Sequence, residues 1–273
     1  MSLPQSFVFS QASLQDYADC PRRFQLRYVL GIRWPGRNTT DMEWERLARQ
    51  GSAFHQLAHQ HTVGLPLEML SARASEWNLE RWWHAYLTAS PPDLPRAVRQ
   101  SEVHLSTPLG GCRLAARYDL LTIEPEQRAV IVDWKTSQRR PTRTWLAERW
   151  QTRVYRYVLA KAGAEISNGS PFSPEQIELI YWFANFAPQV ERFPYRSEEY
   201  QADETLLFET TAEIAARAQD TWPLTEEISQ CRYCTYQTLC DREPVGEEGG
   251  APDLEQDAGR FDLDLEQIAE IEF

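Results

Sequence analysis

The sequence predicts an α/β (α+β) domain with a central mixed β-sheet flanked by helices. Helical periodicity dominates the chain up to Thr88. From Glu102 to Thr107 the apolar period falls to two, the period of strands, and two further strand-like segments follow up to Trp134. A helix, two further strands and a last helix follow. This order of elements belongs to a mixed sheet with packed helices.

Ser10–Leu30 reads as helical, broken near Cys20-Pro21, with apolar residues at Leu14, Tyr17, Phe24 and Tyr28. Ser13 with Asp16 resembles a helix-start signal. Glu43–Val63 and Ala74–Thr88 are predicted amphipathic helices, the second closed by Pro91, Pro92 and Pro95. Glu102–Thr107 alternates as a strand, and Gly110-Gly111 turns the chain into a second, Cys112–Ile123. Pro125–Gln127 turns it again into Ala129–Trp134, an apolar run expected to be buried. Thr142–Lys161 is predicted as one long helix ending before Gly163. Ile177–Phe186 and Val190–Pro194 read as strands, Ser197–Gln219 as a helix, and residues 220–240 as a cysteine-rich segment.

The 273 residues have ordinary globular composition, 42% apolar and 25% charged, which excludes a disordered or collagen-like chain over most of the length. No apolar run approaches the ~18–20 residues of a membrane span. Residues 1–15 show neither a basic start nor an apolar core of a secretory leader, so a cytoplasmic protein without membrane association is expected. The net charge of −12 is unevenly placed. Residues 241–273 hold twelve acids and two arginines, hence −10, and leave a body near neutrality at −2. Overall acidity therefore does not argue against a nucleic-acid partner. Of 28 basic residues only Lys135 and Lys161 are lysines. A lone lysine in an arginine-built region raises a chemical question, because a compact ammonium differs from a guanidinium fork.

Asp133-Trp134-Lys135 ends the apolar strand, so Asp133 and Lys135 share one face and Trp134 takes the other. The preceding strand carries Asp119, which an antiparallel hairpin would bring beside Asp133. Two carboxylates and a lysine suit a hard cation with a phosphate nearby. Gln151 and Tyr155 stand four apart on one face of the predicted helix. Arg149, Arg153 and Arg156 around them suit a sugar-phosphate backbone. His55 follows Gly51-Ser52-Ala53, whose small side chains allow a close helix–sheet approach. His55 and His59 could also form a zinc pair, but Gln56 stands where a metalloprotease helix needs glutamate.

Cys231, Cys234 and Cys240 form a C-x2-C-x5-C cluster, and Cys20 is the obvious fourth thiol. Four cysteines bind zinc or an iron–sulfur cluster, and spacing does not choose between them. Such a site would staple the first structured segment to the last. A cytosolic setting disfavours disulfides. Cys112 reads as a small buried hydrophobe.

In this order, the motifs resemble the PD-(D/E)XK nucleases of the RecB type. Within them, the chain is most similar to the iron–sulfur exonucleases of CRISPR adaptation and of AddB-like helicase–nucleases. The resemblance covers most of residues 10–240. It rests on Ser13-to-Cys20-Pro21, His55, Asp119, Asp133-x-Lys135, Gln151-x-x-x-Tyr155 and the terminal cysteines. It implies a restriction-endonuclease-like core with a helical iron–sulfur clasp, and a metal-dependent exonuclease acting on single-stranded DNA or DNA ends. His55, Asp119, Asp133 and the Trp134 carbonyl would hold Mg²⁺ or Mn²⁺. Lys135 would be the catalytic lysine, with Gln151 and Tyr155 completing the site. Cys20, Cys231, Cys234 and Cys240 would hold a 4Fe–4S cluster. DNA repair, recombination and CRISPR adaptation all fit, with a helicase or a CRISPR adaptation protein as partner. The rival reading is a non-catalytic or partner-activated DNA-binding subunit of a helicase–nuclease.

Residues 1–242 are expected to form the nuclease domain, its two ends joined by the four cysteines, and 243–273 an acidic tail. The tail reads as a solubilising spacer; its apolar last dozen residues suit docking on a partner as a short helix or strand, and its acidity suits a segment that lies over the nuclease groove as a DNA mimic.

Overall fold

The computed structural model describes Leu3 and residues 7–32, 42–91, 93–167, 169–217, 222–231 and 234–242. The acidic tail from residue 243 onward lies outside the described residues. In chain order the elements are β1 (Val8–Phe9), α1 (Gln11–Asp19), α2 (Pro21–Phe24) with a π turn (Gln25–Val29), α3 (Met42–Thr62), α4 (Leu67–Glu76), α5 (Glu80–Thr88), β2 (Val98–Leu109), β3 (Cys112–Glu124), β4 (Arg128–Lys135), α6 (Arg143–Glu148), α7 (Trp150–Ala162), β5 (Ile177–Phe183), β6 (Val190–Pro194) and α8 (Ser197–Ala216). Short 3-10 turns carry the chain through residues 228–231 and 237–239.

The strands form one mixed sheet in the order β1-β3-β4-β5-β6, with β2 on the other edge of β3. β2, β3 and β4 are an antiparallel meander; β4 and β5 run parallel; β6 closes antiparallel to β5. Parallel β4 and β5 need a crossover, and α6–α7 supply it. Ala129, Val130, Ile131 and Val132 are wholly buried because helices cover both faces of the sheet at β4. Ile131 packs with Leu146, Val154 and Val158 on the α7 face, in a cluster that also takes Leu14, Tyr17 and Leu207. Val130, Val132 and Trp134 pack with Phe54, Leu57, Trp82 and Tyr86 of α3 and α5 on the other.

The mixed sheet with its flanking helices agrees with the expected fold class, and four local expectations are corrected. Ser10, not Ser13, caps α1: the Ser10 Oγ accepts from the Ser13 N–H at 3.2 Å, and the Ser13 Oγ accepts from the Ser10 N–H at 2.9 Å. The region predicted as one helix over Ala74–Thr88 is two helices. Asn78, at φ +56°, ends α4 in the left-handed conformation that Asn tolerates, and the Leu79 N–H closes back on the Ala74 carbonyl at 2.8 Å. The long helix over Thr142–Lys161 is also two, broken at Arg149, whose ψ of 142° is extended. Thr152 Oγ1 there takes the Leu146 carbonyl that a continuous helix would have bonded internally. Cys112 is half-buried at the start of β3 rather than in its interior. The short β1 has too few residues to show a period of two.

Candidate active site

The site grows from an irregularity in the sheet. The β3–β4 ladder ends at Leu120↔Val132, and one step further places Asp119 across from Asp133. The β2–β3 ladder skips one pair, Glu102 with Asp119, and Glu102 takes φ +56°. Tyr118 and Leu121 lie three apart yet pack in the same core cluster, so side-chain alternation slips by one residue here. A slip of this kind re-aims Asp119. Its Oδ2 accepts the Trp134 N–H at 2.8 Å, and its Oδ1 lies 3.1 Å from His55 Nδ1.

The end of β4 supplies the floor. Lys135 Nζ lies 3.0 Å from Asp133 Oδ2 and donates to Gln151 Oε1 at 2.9 Å. Gln151 Nε2 donates to Asp133 Oδ1 at 2.8 Å. The break at Arg149 makes this triangle possible, because it puts Gln151 in the first turn of α7 instead of mid-helix. Tyr181 of β5 places its ring 5.3 Å from Lys135 Nζ. The Asp133 and Lys135 side chains are 4% and 8% exposed, against 15% for His55 and Asp119, so the site opens at the latter pair.

His55 arrives on α3, which comes close because Gly51 has no side chain. A Cβ at Gly51 would stand 3.0 Å from Thr136 Oγ1, just past the end of β4. Asn185 pins the same loop, donating to the Thr136 and Ser137 carbonyls at 3.2 and 3.0 Å. Burial opposes charge on His55, yet Asp119, Asp133 and Glu102 outweigh it and raise its pKa. Burial likewise opposes charge on Asp119, but His55, the Trp134 N–H and Lys135 hold its pKa below the ordinary value. His55 is therefore coupled to both Asp119 and Asp133, and Asp119 to Lys135 as well.

The structure thus brings His55, Asp119, Asp133, Lys135 and Gln151 together. Trp134 reaches the site through its backbone N–H, while its indole packs on the opposite face. Tyr155 lies one turn along α7, 3% exposed and edge-on to Tyr118 at 5.2 Å, and its carbonyl accepts the Tyr118 hydroxyl. It packs against the strand that carries Asp119. The expectation of an arginine face for phosphate is corrected. Arg153 bonds Asp203 at 2.7 Å, and Arg156 is buried, donating to the Thr152 and Pro194 carbonyls. Both point into the α7–α8 packing. Arg149 lies over the Trp145 ring at 4.5 Å.

Glu102, Tyr181 and Asn185 were not visible in the sequence as site residues. Glu102 is held by Arg117, whose Nε donates to its Oε2 at 2.6 Å. An acid beside a serine in a strand was the only signal for it.

All five cysteines are free thiols. Cys20, Cys231, Cys234 and Cys240 line one cavity with Arg23 and Arg242. Burial raises the Cys234 and Cys240 thiols, and the neighbouring sulfurs raise them further. Four sulfurs gathered round one cavity, with Cys234 and Cys240 held back from ionising, fit a group that brings positive charge. Among the described residues no three His, Cys, Asp or Glu side chains stand in a ready metal-ligating arrangement.

A model of the PD-(D/E)XK nuclease superfamily matches residues 8–241. The chain belongs to the PD-(D/E)XK nuclease superfamily. Its match spans every element from β1 to the last cysteine. A candidate exonuclease from Eubacterium rectale, solved by crystallography, superposes with a TM-score of 0.50 at 12% identity, over 93% of this chain and 94% of its own. That likeness is one of fold. The crystal structure of SSO0001 aligns with a TM-score of 0.39 at 14% identity, over 86% of this chain and 85% of its own. No curated protein matches the chain. Among the described residues of this superfamily member, no helix is long and apolar enough to cross a membrane.

Proposed function

We propose that this nuclease-superfamily protein is a metal-dependent DNA exonuclease that hydrolyses phosphodiesters in single strands or at DNA ends. The observation that carries the reading is the closed triangle of Asp133, Lys135 and Gln151 beside the His55–Asp119 pair. An oxygen-rich donor set with one imidazole fits Mg²⁺ or Mn²⁺. His55, Asp119 and Asp133 would hold the ion, with the Trp134 carbonyl as a further donor. When bound, it supplies Lewis acidity toward a phosphate oxygen and toward water. Lys135 orients the attacking water and offsets the negative charge that builds on the phosphorus oxygens. Gln151 bonds both Lys135 and Asp133 and fixes the angle between them. The buried floor keeps that geometry, and the open His55–Asp119 side admits the strand.

The domain is read as residues 1–242, closed by Cys20, Cys231, Cys234 and Cys240 around a 4Fe–4S cluster, with zinc as the alternative. Iron, sulfide and zinc content with the visible spectrum of anaerobically purified protein separates the two. The proposed setting is DNA repair, recombination or CRISPR adaptation, with a helicase or adaptation protein as partner.

The test is degradation of end-labelled single-stranded DNA in Mg²⁺, Mn²⁺ or EDTA, beside an unlabelled circular strand. Cleavage of the linear strand alone, abolished by EDTA and by Asp133→Asn, is the expected result. No cleavage in either metal by metal-loaded protein overturns the catalytic reading and leaves a DNA-binding subunit. A second variant probes the helix approach. Gly51→Leu forces α3 off Thr136 and displaces His55, and a shift of about 1 Å at a reacting centre costs on the order of 10²-fold in rate. Wild-type rate in that variant, with the fold intact by circular dichroism, contradicts the assigned place of His55.

A further inference from the structure

We propose that Gln15 is a positioning residue that ties the cysteine-lined cavity to Gln151 of the catalytic triangle. The inference rests on the nuclease reading for its effect on turnover, but its geometry stands alone. Arg23, in the cavity wall, donates from Nη2 to Asp19 Oδ2 at 2.6 Å. Asp19 Oδ1 accepts from Gln15 Nε2 at 2.8 Å. Gln15 Oε1 accepts the backbone N–H of Trp150 at 3.4 Å. Trp150 opens α7, and the next residue is Gln151.

The contact matters because a helix begins with unsatisfied N–H groups. The residue before α7, Arg149, makes no side-chain cap. Gln15 supplies one from a segment 135 residues away in sequence. It does so from α1, the helix that Cys20 caps at its C-terminal end through an N–H bond to the Asp16 carbonyl at 3.0 Å. Arg23 also pairs with Asp16 at 2.8 Å, so two acids of α1 are held from the cavity side. A cluster or zinc held by the four sulfurs would fix the end of α1. A fixed α1 holds Gln15 against the start of α7, and that start aims Gln151 at Asp133 and Lys135. An open cavity releases the end of α1 and loosens the first turn of α7.

Backbone hydrogen exchange by mass spectrometry tests this in the full chain, without any cleavage assay. Wild type, Gln15→Met, Cys234→Ser and the double variant are compared in Mg²⁺, with iron and zinc content measured for each. Each single variant is expected to speed exchange of amides 150–153 several-fold. The double variant should add nothing further, because both changes break one chain of contacts. Peptides of β5 should not change. The proposal is overturned by wild-type exchange at 150–153 in either single variant, by effects that multiply in the double, or by a rise spread evenly over β5 as well. A kinetic arm then reads the consequence: Gln15→Met lowers kcat about tenfold with KM for DNA unchanged, as misaimed chemistry does. Absent cleavage in wild type, with the exchange pattern as expected, removes the nuclease reading and leaves the coupling in place.

Discussion

Lys135→Met is expected to abolish DNA cleavage, by roughly 10²–10⁴-fold, the range for a group that moves or offsets charge at a reacting centre. Methionine keeps most of the stem's volume and removes only the ammonium. The ammonium holds Asp133 at 3.0 Å and Gln151 at 2.9 Å, so its loss also leaves a buried carboxylate short of a countercharge. The variant should therefore be less stable in EDTA. A divalent cation restores the missing charge, so Mn²⁺ should raise its Tm more than that of wild type. Lys135→Arg should not rescue turnover, because a planar fork cannot occupy the position of a point charge packed on Tyr181. Initial rates on end-labelled DNA and differential scanning calorimetry give both readouts. Cleavage by Lys135→Met within tenfold of wild type would remove the lysine from the chemistry.

Asp203→Ala is the variant expected to damage the fold most. Asp203 is 1% exposed on α8 and joins three groups of the opposite layer. Its Oδ1 accepts from Arg153 at 2.7 Å, and its Oδ2 accepts from the Tyr195 hydroxyl at 3.0 Å and lies 3.9 Å from Arg156. Arg156 is itself buried over the Tyr195 ring at 4.4 Å. Removing one partner of a buried ion pair costs about 3–5 kcal/mol, because the other charge is stranded. A domain has only about 5–15 kcal/mol to lose. Urea denaturation should show a large fall in midpoint, with Asp203→Asn intermediate, since the amide still accepts from Tyr195. Equal midpoints for wild type and Asp203→Ala would mean that α7 is held by its apolar face alone.

Much of this architecture was legible in the sequence, and the reason is local. Ala129–Val132 could only be a strand covered on both sides, and Asp133-x-Lys135 at its end followed from a period of two. Gly110-Gly111 gave the hairpin, and Gly110 adopts φ +57° where its missing side chain also admits the Phe208 ring. What failed was set by distant contacts. The break at Arg149 depends on Thr152 meeting the Leu146 carbonyl and Tyr181, and no periodicity encodes that. Arg153 and Arg156 looked like a phosphate-binding face because Asp203, some fifty residues later, is invisible to a helical wheel. The slip at Glu102 and Asp119 escapes notice for the same reason: it belongs to a pair of strands and to neither alone. Cys20 stood out in the sequence as the obvious fourth thiol beside Cys231, Cys234 and Cys240, and all four line one cavity.

Metal-dependent cleavage at this site requires His55, Asp119 and Asp133 to form one cation site, at the floor of which Lys135 works. Electron paramagnetic resonance of Mn²⁺ titrated into the full chain tests it most directly. Wild type is expected to show a bound Mn²⁺ signal that is lost in Asp119→Asn and in Asp133→Asn and kept in Cys234→Ser. Undiminished binding in both aspartate variants, or loss in the cysteine variant alone, would place the cation elsewhere and remove these residues as its ligands.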